Sequence, residues 1–273
     1  MTESKISRRD LLKIAGATAA VAAGLKVITH SNAAEPGSGA DSRQWAMVID
    51  ENKCTGCGYC IMACRAHNDI PPDITWNPLY ELGSVGNRKV YLPRPCMQCA
   101  KAPCVEVCPV EASYYRPDGI VMMDYDRCIG CRYCEVACPY GARSFNWKSL
   151  DGPNPVVPEW GEPEVPRRPR GVVEKCAFCY QRIDRGLSLG LKPGTDANAT
   201  PACVVACPTG ARVFGDVSDP ASRVSQLKRQ ALYFSMLGQL NTRPRTTYLA
   251  KLRNPNPTLE PPPGGSTPDS MHG

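Results

Sequence analysis

Cys54-Thr-Gly-Cys57-Gly-Tyr-Cys60-Ile-Met-Ala-Cys64 reads C-x2-C-x2-C-x3-C, and Cys128-Ile-Gly-Cys131-Arg-Tyr-Cys134-Glu-Val-Ala-Cys138 repeats it. Two other groups are stretched versions: Cys96-Met-Gln-Cys99 followed by Cys104-Val-Glu-Val-Cys108, and Cys176-Ala-Phe-Cys179 followed, after residues 180–202, by Cys203-Val-Val-Ala-Cys207. These four groups of four use all 16 cysteines of the 273-residue chain, so no thiol is left over. With only 7% aromatic residues and 27 prolines, the chain needs something besides a large apolar core to hold it together. Disulfides, zinc and iron–sulfur clusters are the three chemistries that use cysteine at this density.

Spacing separates them. C-x2-C-x2-C-x3-C is the bacterial ferredoxin run for a [4Fe–4S] cluster, in which the first three thiolates bind one cubane and the fourth reaches a second. Zinc ribbons also use C-x2-C pairs, but a third cysteine two residues on would crowd a single ion. Three close thiolates wrap a turn around one corner of a cubane, and Gly56 and Gly130 let that backbone approach or take positive φ. The third cysteine opens a short helix and the fourth follows one turn later. A proline after three of the final cysteines (Pro109, Pro139, Pro208) fixes φ as the chain leaves; Arg65 stands there in the first group. Four groups predict four [4Fe–4S] clusters, and an assay for acid-labile sulfide distinguishes them from zinc.

The cysteine groups sit inside a repeat. Val48 to Cys54 is echoed by Met122 to Cys128, each an apolar strand, an acidic turn and a basic residue before the first cysteine. Pro139-Tyr-Gly-Ala-Arg143 is echoed by Pro208-Thr-Gly-Ala-Arg212, with a looser copy at Pro109 to Ala112. The expected fold class is α+β: tandem ferredoxin-like βαβ repeats around the clusters, loop-rich, with a C-terminal helix and an extended tail. Strands are expected at 143–147 and 212–214. Apolar spacing at Val224, Leu227, Ala231, Phe234 and Leu237 predicts a helix over 221–240.

Ahead of the first group, Ser7-Arg8-Arg9-Asp10-Leu11-Leu12-Lys13, the apolar stretch 14–25 and the small residues 31–34 form an export leader of the twin-arginine type. The apolar stretch is shorter than the ~20 residues that a membrane span requires. The expected organisation is a twin-arginine signal at 1–34, a linker at 35–44, a four-cluster ferredoxin-like domain at 45–215, a helical extension at 216–253 and a flexible tail at 254–273. Ile70 to Arg94 is turn-rich with Trp76, Tyr80 and Tyr91 as packing anchors, 153–170 is a Pro-rich irregular connector, and 180–202 is either a partner contact or a plain surface loop.

The group order, the spacings, the long insertion in the fourth group and the leader together resemble the four-cluster electron-transfer subunits of dimethyl sulfoxide, polysulfide and tetrathionate reductases and related membrane-bound redox complexes. Among these, the resemblance leans toward the leader-bearing subunit of the sulfite-reduction-associated membrane complex. It spans about residues 45–215. It implies that the first group pairs with the fourth and the second with the third. Cys54, Cys57, Cys60 and Cys207 would hold cluster 1; Cys64, Cys176, Cys179 and Cys203 cluster 2. Cys96, Cys99, Cys104 and Cys138 would hold cluster 3; Cys108, Cys128, Cys131 and Cys134 cluster 4. It also implies that the protein lacks catalysis of its own. Its partners would be an integral membrane quinone-interacting subunit and a catalytic or cytochrome subunit, met on the periplasmic side of the cytoplasmic membrane after twin-arginine export. A stand-alone periplasmic ferredoxin serving soluble oxidoreductases is the alternative.

Charge and missing motifs agree with that picture. No catalytic residues are expected. Only His30, His67 and His272 are present, with no P-loop and no Gly-rich dinucleotide fingerprint. His67 reads as a surface residue or one behind the thiolates. The leader carries five basic and two acidic side chains, so the +6 of the whole chain falls to +3 without it. Four dianionic clusters would turn that to about −5, which argues against nucleic-acid binding. Lys53, Arg65, Lys101, Arg127, Arg132, Arg143, Lys175 and Arg212, all near cysteines, read as neutralising cluster charge, with partner docking as the alternative. No transmembrane span is expected.

Overall fold

The computed structural model describes residues 43–250; the leader, most of the linker and the tail expected from Asn254 onward lie outside them. Trp45–Asp50 (β1) is the apolar run WAMVID, buried on both faces, as a strand covered on both sides must be. Met47 and Ile49 face the main core, while Ala46 and Val48 pack against Val224, Leu227 and Leu249 on the other face. β1 leads into the first cysteine group, where Tyr59–His67 forms α1. A hairpin follows, Leu79–Val85 (β2) with Arg88–Pro93 (β3).

The second group carries the short helix Pro103–Glu106 (α2) and leaves through Ser113–Tyr115 (β4), which pairs antiparallel with Val121–Met123 (β5), the strand entering the third group. Tyr133–Ala137 (α3) holds Cys134, and Ser144–Phe145 (β6) then pairs with Val173–Glu174 (β7) at the start of the fourth group. Tyr180–Ser188 (α4) and Ala202–Val205 (α5) precede Arg212–Asp216 (β8), which runs antiparallel along β1 from Trp45↔Asp216 to Ile49↔Arg212. The strand before the first group thus pairs with the strand after the fourth. The strand before the third pairs with the strand after the second. In the same way α1 packs on α5 and α2 on α3.

The stretch after β8 departs from expectation. Instead of a helix over 221–240 within a helical extension at 216–253, it forms one short helix, Arg223–Leu227 (α6), capped by Ser222, whose Oγ accepts from the Ser225 amide at 3.2 Å. Tyr233–Phe234 (β9) and Thr246–Leu249 (β10) follow, giving a sheet in the order β8-β1-β10-β9 with β10 parallel to β1. The apolar spacing is real for one turn only: Val224 and Leu227 are buried against β1, about 1.5–3 kcal/mol each, whereas Leu237 stays exposed. Beyond that turn the chain gains more by completing the sheet, where Phe234 stacks on Tyr248 at 5.4 Å. Thr-Thr-Tyr-Leu after Pro244 is itself a β-branched and aromatic strand signal.

Cysteine and methionine do much of the packing that aromatic residues do elsewhere. The main core includes Cys64, Cys96, Cys99, Cys104, Cys134, Cys176 and Cys203 beside Met47, Met97, Met122 and Met123. Phe214 stacks on Trp45 at 5.5 Å and takes Phe178 edge-on at 5.3 Å. Trp76 is buried as expected, but Tyr80 is largely exposed under Arg94. Residues 153–170 form neither helix nor strand. Buried Arg168 nevertheless fastens them by donating to the Asn68 and Asp69 carbonyls and to Glu174. Residues 180–202 are no plain surface loop, because α4 buries Arg182, Ile183 and Gly186.

Candidate metal centres

Three cavities are each lined by four cysteines drawn from two sequence groups. Cys54, Cys57, Cys60 and Cys207 line the first with Thr209 and Arg212. Cys64, Cys176, Cys179 and Cys203 line the second with Met47, Asn68 and Trp76. Cys96, Cys99, Cys104 and Cys138 line the third with Val121, Tyr140 and Arg143. For the remaining four, Cys108 acts electrostatically on Cys134, while Cys128 and Cys131 lie on the loop between β5 and α3. Cys57 and Cys131 are the exposed thiols among the sixteen.

One backbone feature recurs in every group. The residue just before the second cysteine is left-handed in all four: Gly56 at φ 76°, Gln98 at 46°, Gly130 at 68° and Phe178 at 54°. The turn between the first two cysteines therefore carries a left-handed residue four times, with glycine where space runs out. A Cβ on Gly56 would strike the Tyr91 ring, and one on Gly130 the carbonyl of Gly171. At Gln98 and Phe178 a side chain is tolerated and used. Gln98 is fully buried, donating to the Cys176 carbonyl at 2.6 Å and accepting from the Val121 amide at 2.8 Å.

Burial works against ionisation at eight of the thiols. Burial pushes Cys99 and Cys203 up to about 12 and raises Cys54, Cys64, Cys134, Cys138, Cys176 and Cys179 as well. Cys207 goes the other way. Burial alone would raise it, but the Thr209 hydroxyl and the amides around Ala211 outweigh that. Donors approach several sulfurs: Arg143 to Cys104 at 3.0 Å, Asn68 to Cys179 at 3.5 Å, the Ala142 amide to Cys138 at 3.5 Å and Arg212 to Cys203 at 3.8 Å.

The basic residues near the cysteines divide sharply. Lys53, Lys101, Arg127 and Arg132 are exposed and Arg65 is half-buried, whereas Arg143, Lys175 and Arg212 are buried to 3%, 1% and 3% exposure. Among the described residues none of those three has a carboxylate at ion-pair distance, and the Arg143 Nε has no partner at all. Burial disfavours the charge of Arg143 and Arg212, but charge on the neighbouring cysteines holds both guanidiniums on balance more firmly protonated. Burial pulls Lys175 below the usual lysine range, against an opposite push from Cys96, Cys176 and Cys104. Buried cations without carboxylates beside buried thiols are what an anionic thiolate-bound cluster requires, so this residue set fits [4Fe–4S] groups.

Asn68, Gln98, Arg168 and Glu174 were not marked by sequence. They are polar residues with no motif of their own, and only the packing shows them buried behind the thiols. His67 stands behind the second quartet rather than on it, with Nδ1 2.9 Å from Glu164.

Residues 88–151 and 127–211 match families described as 4Fe-4S dicluster domain, 45–66 match a 4Fe-4S binding domain, and 5–24 match the signal sequence of the twin-arginine translocation pathway. The last match marks the protein for export across the cytoplasmic membrane. The sequence is 43% identical to the iron–sulfur cluster-binding subunit of menaquinone reductase from Nitratidesulfovibrio vulgaris, covering 76% of this chain and 89% of that one. It is 34% identical to a subunit of the tetrathionate reductase of Salmonella typhimurium, over 82% and 79% of the two chains. It is also 34% identical to a component of the polysulfide reductase of Wolinella succinogenes, over 75% and 93%. Among the described residues no helix is long and apolar enough to cross a membrane.

Proposed function

Because this protein belongs to the family of iron–sulfur electron-transfer subunits of membrane-associated reductase complexes, we propose that it holds four [4Fe–4S] clusters and relays electrons between a quinone- or haem-linked membrane module and a redox partner subunit. The ligand sets are Cys54, Cys57, Cys60 and Cys207; Cys64, Cys176, Cys179 and Cys203; Cys96, Cys99, Cys104 and Cys138; and Cys108, Cys128, Cys131 and Cys134. The observation that carries this reading is that three of these sets each line one cavity although their members come from distant groups. The interleaving also matches the strand pairs β1/β8 and β4/β5.

Bound clusters supply reversible one-electron chemistry at potentials that depend on burial, hydrogen bonds and nearby charge. The protein's part is to seat them in a row, keep water from the inner two and leave each end open. The exposed Cys57 and Cys131 belong to the two outer sets, so electrons pass in at one end and out at the other. The work is done on the periplasmic face, following twin-arginine export.

The test is purification from native membranes with iron, sulfide and EPR analysis. About sixteen iron and sixteen acid-labile sulfide per protein, co-purifying with an integral membrane subunit, is the expected result. Recovery as a free monomer loaded with clusters would instead favour a stand-alone ferredoxin. Two or three clusters would overturn the ligand assignment.

A further inference from the structure

Arg212, Lys175 and Arg143 are not scattered through the core; each stands at a boundary between two of the cysteine quartets. Arg212 lines the cavity of Cys54, Cys57, Cys60 and Cys207 while its Nη1 lies 3.8 Å from Cys203 Sγ of the next quartet. Its Nη2 is anchored on Asn77 Oδ1 at 2.7 Å. Lys175 Nζ donates to the carbonyls of Val121 and Cys176. Val121 lines the cavity of Cys96, Cys99, Cys104 and Cys138, and Cys176 lines that of Cys64, Cys179 and Cys203. Arg143 lines the former cavity, donates to Cys104 Sγ at 3.0 Å and acts electrostatically on Cys134 of the last quartet.

We infer that these three side chains form a row of buried cations alternating with the four cluster seats, and that each sets the potentials of the two clusters flanking it. The inference rests on the cluster assignment proposed above. Two anionic clusters side by side repel, and reducing either adds one more negative charge in a medium that screens poorly. A fixed positive charge between them favours the reduced form of both, which keeps neighbouring potentials high enough for electrons to step across. Each step moves one electron from a reduced cluster to its oxidised neighbour, with no bond made and no proton moved.

Lys175 carries the junction between the two ferredoxin-like units, since the first and fourth cysteine groups form one and the second and third the other. Its counterparts in the repeat, Lys53 and Arg127, precede the first cysteine of their own groups and are exposed. What differs at Lys175 is Gln98, which bonds the same two residues, Val121 and Cys176, and closes the space around the ammonium.

The test is an EPR-monitored redox titration of the whole purified complex. Lys175→Met should shift two clusters by roughly tenfold toward the oxidised form, about 59 mV downward for a one-electron couple, and move the other two less. Arg212→Met should shift one of those same two plus an outer cluster, and Arg143→Met the other plus the opposite outer cluster. Lys175→Arg should preserve the wild-type potentials. If Lys175→Met loads poorly, Lys175→Gln, which keeps a donor for the carbonyls, must show the same pair of shifts. Unmoved potentials at full iron content, or four clusters shifting equally, would overturn the inference alone. A wild-type iron count short of four clusters would overturn the assignment, and the inference with it.

Discussion

The Thr246 hydroxyl donates to the carbonyl oxygen of Cys96 at 2.9 Å, tying a strand of the main sheet to the loop that opens the second cysteine group. The same segment accepts or donates along its length: Arg245 and Thr246 amides to the Met97 carbonyl, Ala100 and Lys101 amides to the carbonyls of Arg243 and Thr242. Residues 242–249 thus clamp the sheet containing β1 and β8 to the loop that opens the second cysteine group.

Tyr248 is the rivet of that clamp, fully buried with its hydroxyl on the Pro93 carbonyl at 3.0 Å. Tyr248→Phe should cost about 1 kcal/mol, the net worth of one buried hydrogen bond, and Tyr248→Ala about 3–5 kcal/mol from the cavity left behind. Denaturant unfolding of the loaded protein, monitored through cluster absorbance, checks both; equal stability of the two variants would contradict this packing.

Gly130 adopts φ 68° with the Gly171 carbonyl against it. Gly130→Ala should therefore disturb the loop carrying Cys128 and Cys131, with loss of roughly one cluster's four irons and of one EPR component while the others persist. Gly58, also left-handed but facing open space, is the control: Gly58→Ala should keep all its iron and lose only about 1 kcal/mol.

Under the proposed ligand sets Cys134 belongs with Cys108, Cys128 and Cys131, and Arg143 acts on it electrostatically. Cys134→Ala should convert or empty one cluster and leave the remaining signals in place, because the other three quartets share no ligand with it. An unchanged iron count and EPR spectrum would refute its role.

Glu164 holds residues 153–170 to the body, with its Oε1 2.5 Å from Arg182 Nη1 and 2.9 Å from His67 Nδ1. Burial pushes its carboxyl up, but the His67 hydrogen bond and the Arg182 charge leave it net below its ordinary 4.5. A carboxyl depressed on folding contributes stability that is present above its unfolded value and is lost as pH falls through its folded one. Limited proteolysis within 153–170 should accelerate below about pH 4.5. Glu164→Gln should be cut faster at neutral pH and lose that acid dependence; an identical pH profile in the variant would contradict it.

Residues close in sequence reveal local geometry, and here they revealed a good deal. C-x2-C-x2-C-x3-C spacing dictates a turn followed by a short helix, and both appear at Cys54 to Cys64 and Cys128 to Cys138, with the strands before them at Val48 and Met122. The repeated Pro-x-Gly-Ala-Arg also marked Arg143 and Arg212, although not that they would be buried.

Three things came only with the tertiary structure. The run Thr246 to Leu249 joins β1 because a partner strand some two hundred residues earlier offers it hydrogen bonds, a gain that helical periodicity cannot register. Lys53, Arg127 and Lys175 hold one position in the repeat, yet only Lys175 is buried, because Gln98 from another group closes over it. And the resemblance implied that Cys64 goes with Cys176, Cys179 and Cys203, but the means by which they reach one cavity, α1 packing on α5, is visible only in the fold. Spacing specifies how each loop curls, since that is set by bonds and sterics within a few residues; which loops meet is set by long-range packing, which leaves no periodic mark in the sequence.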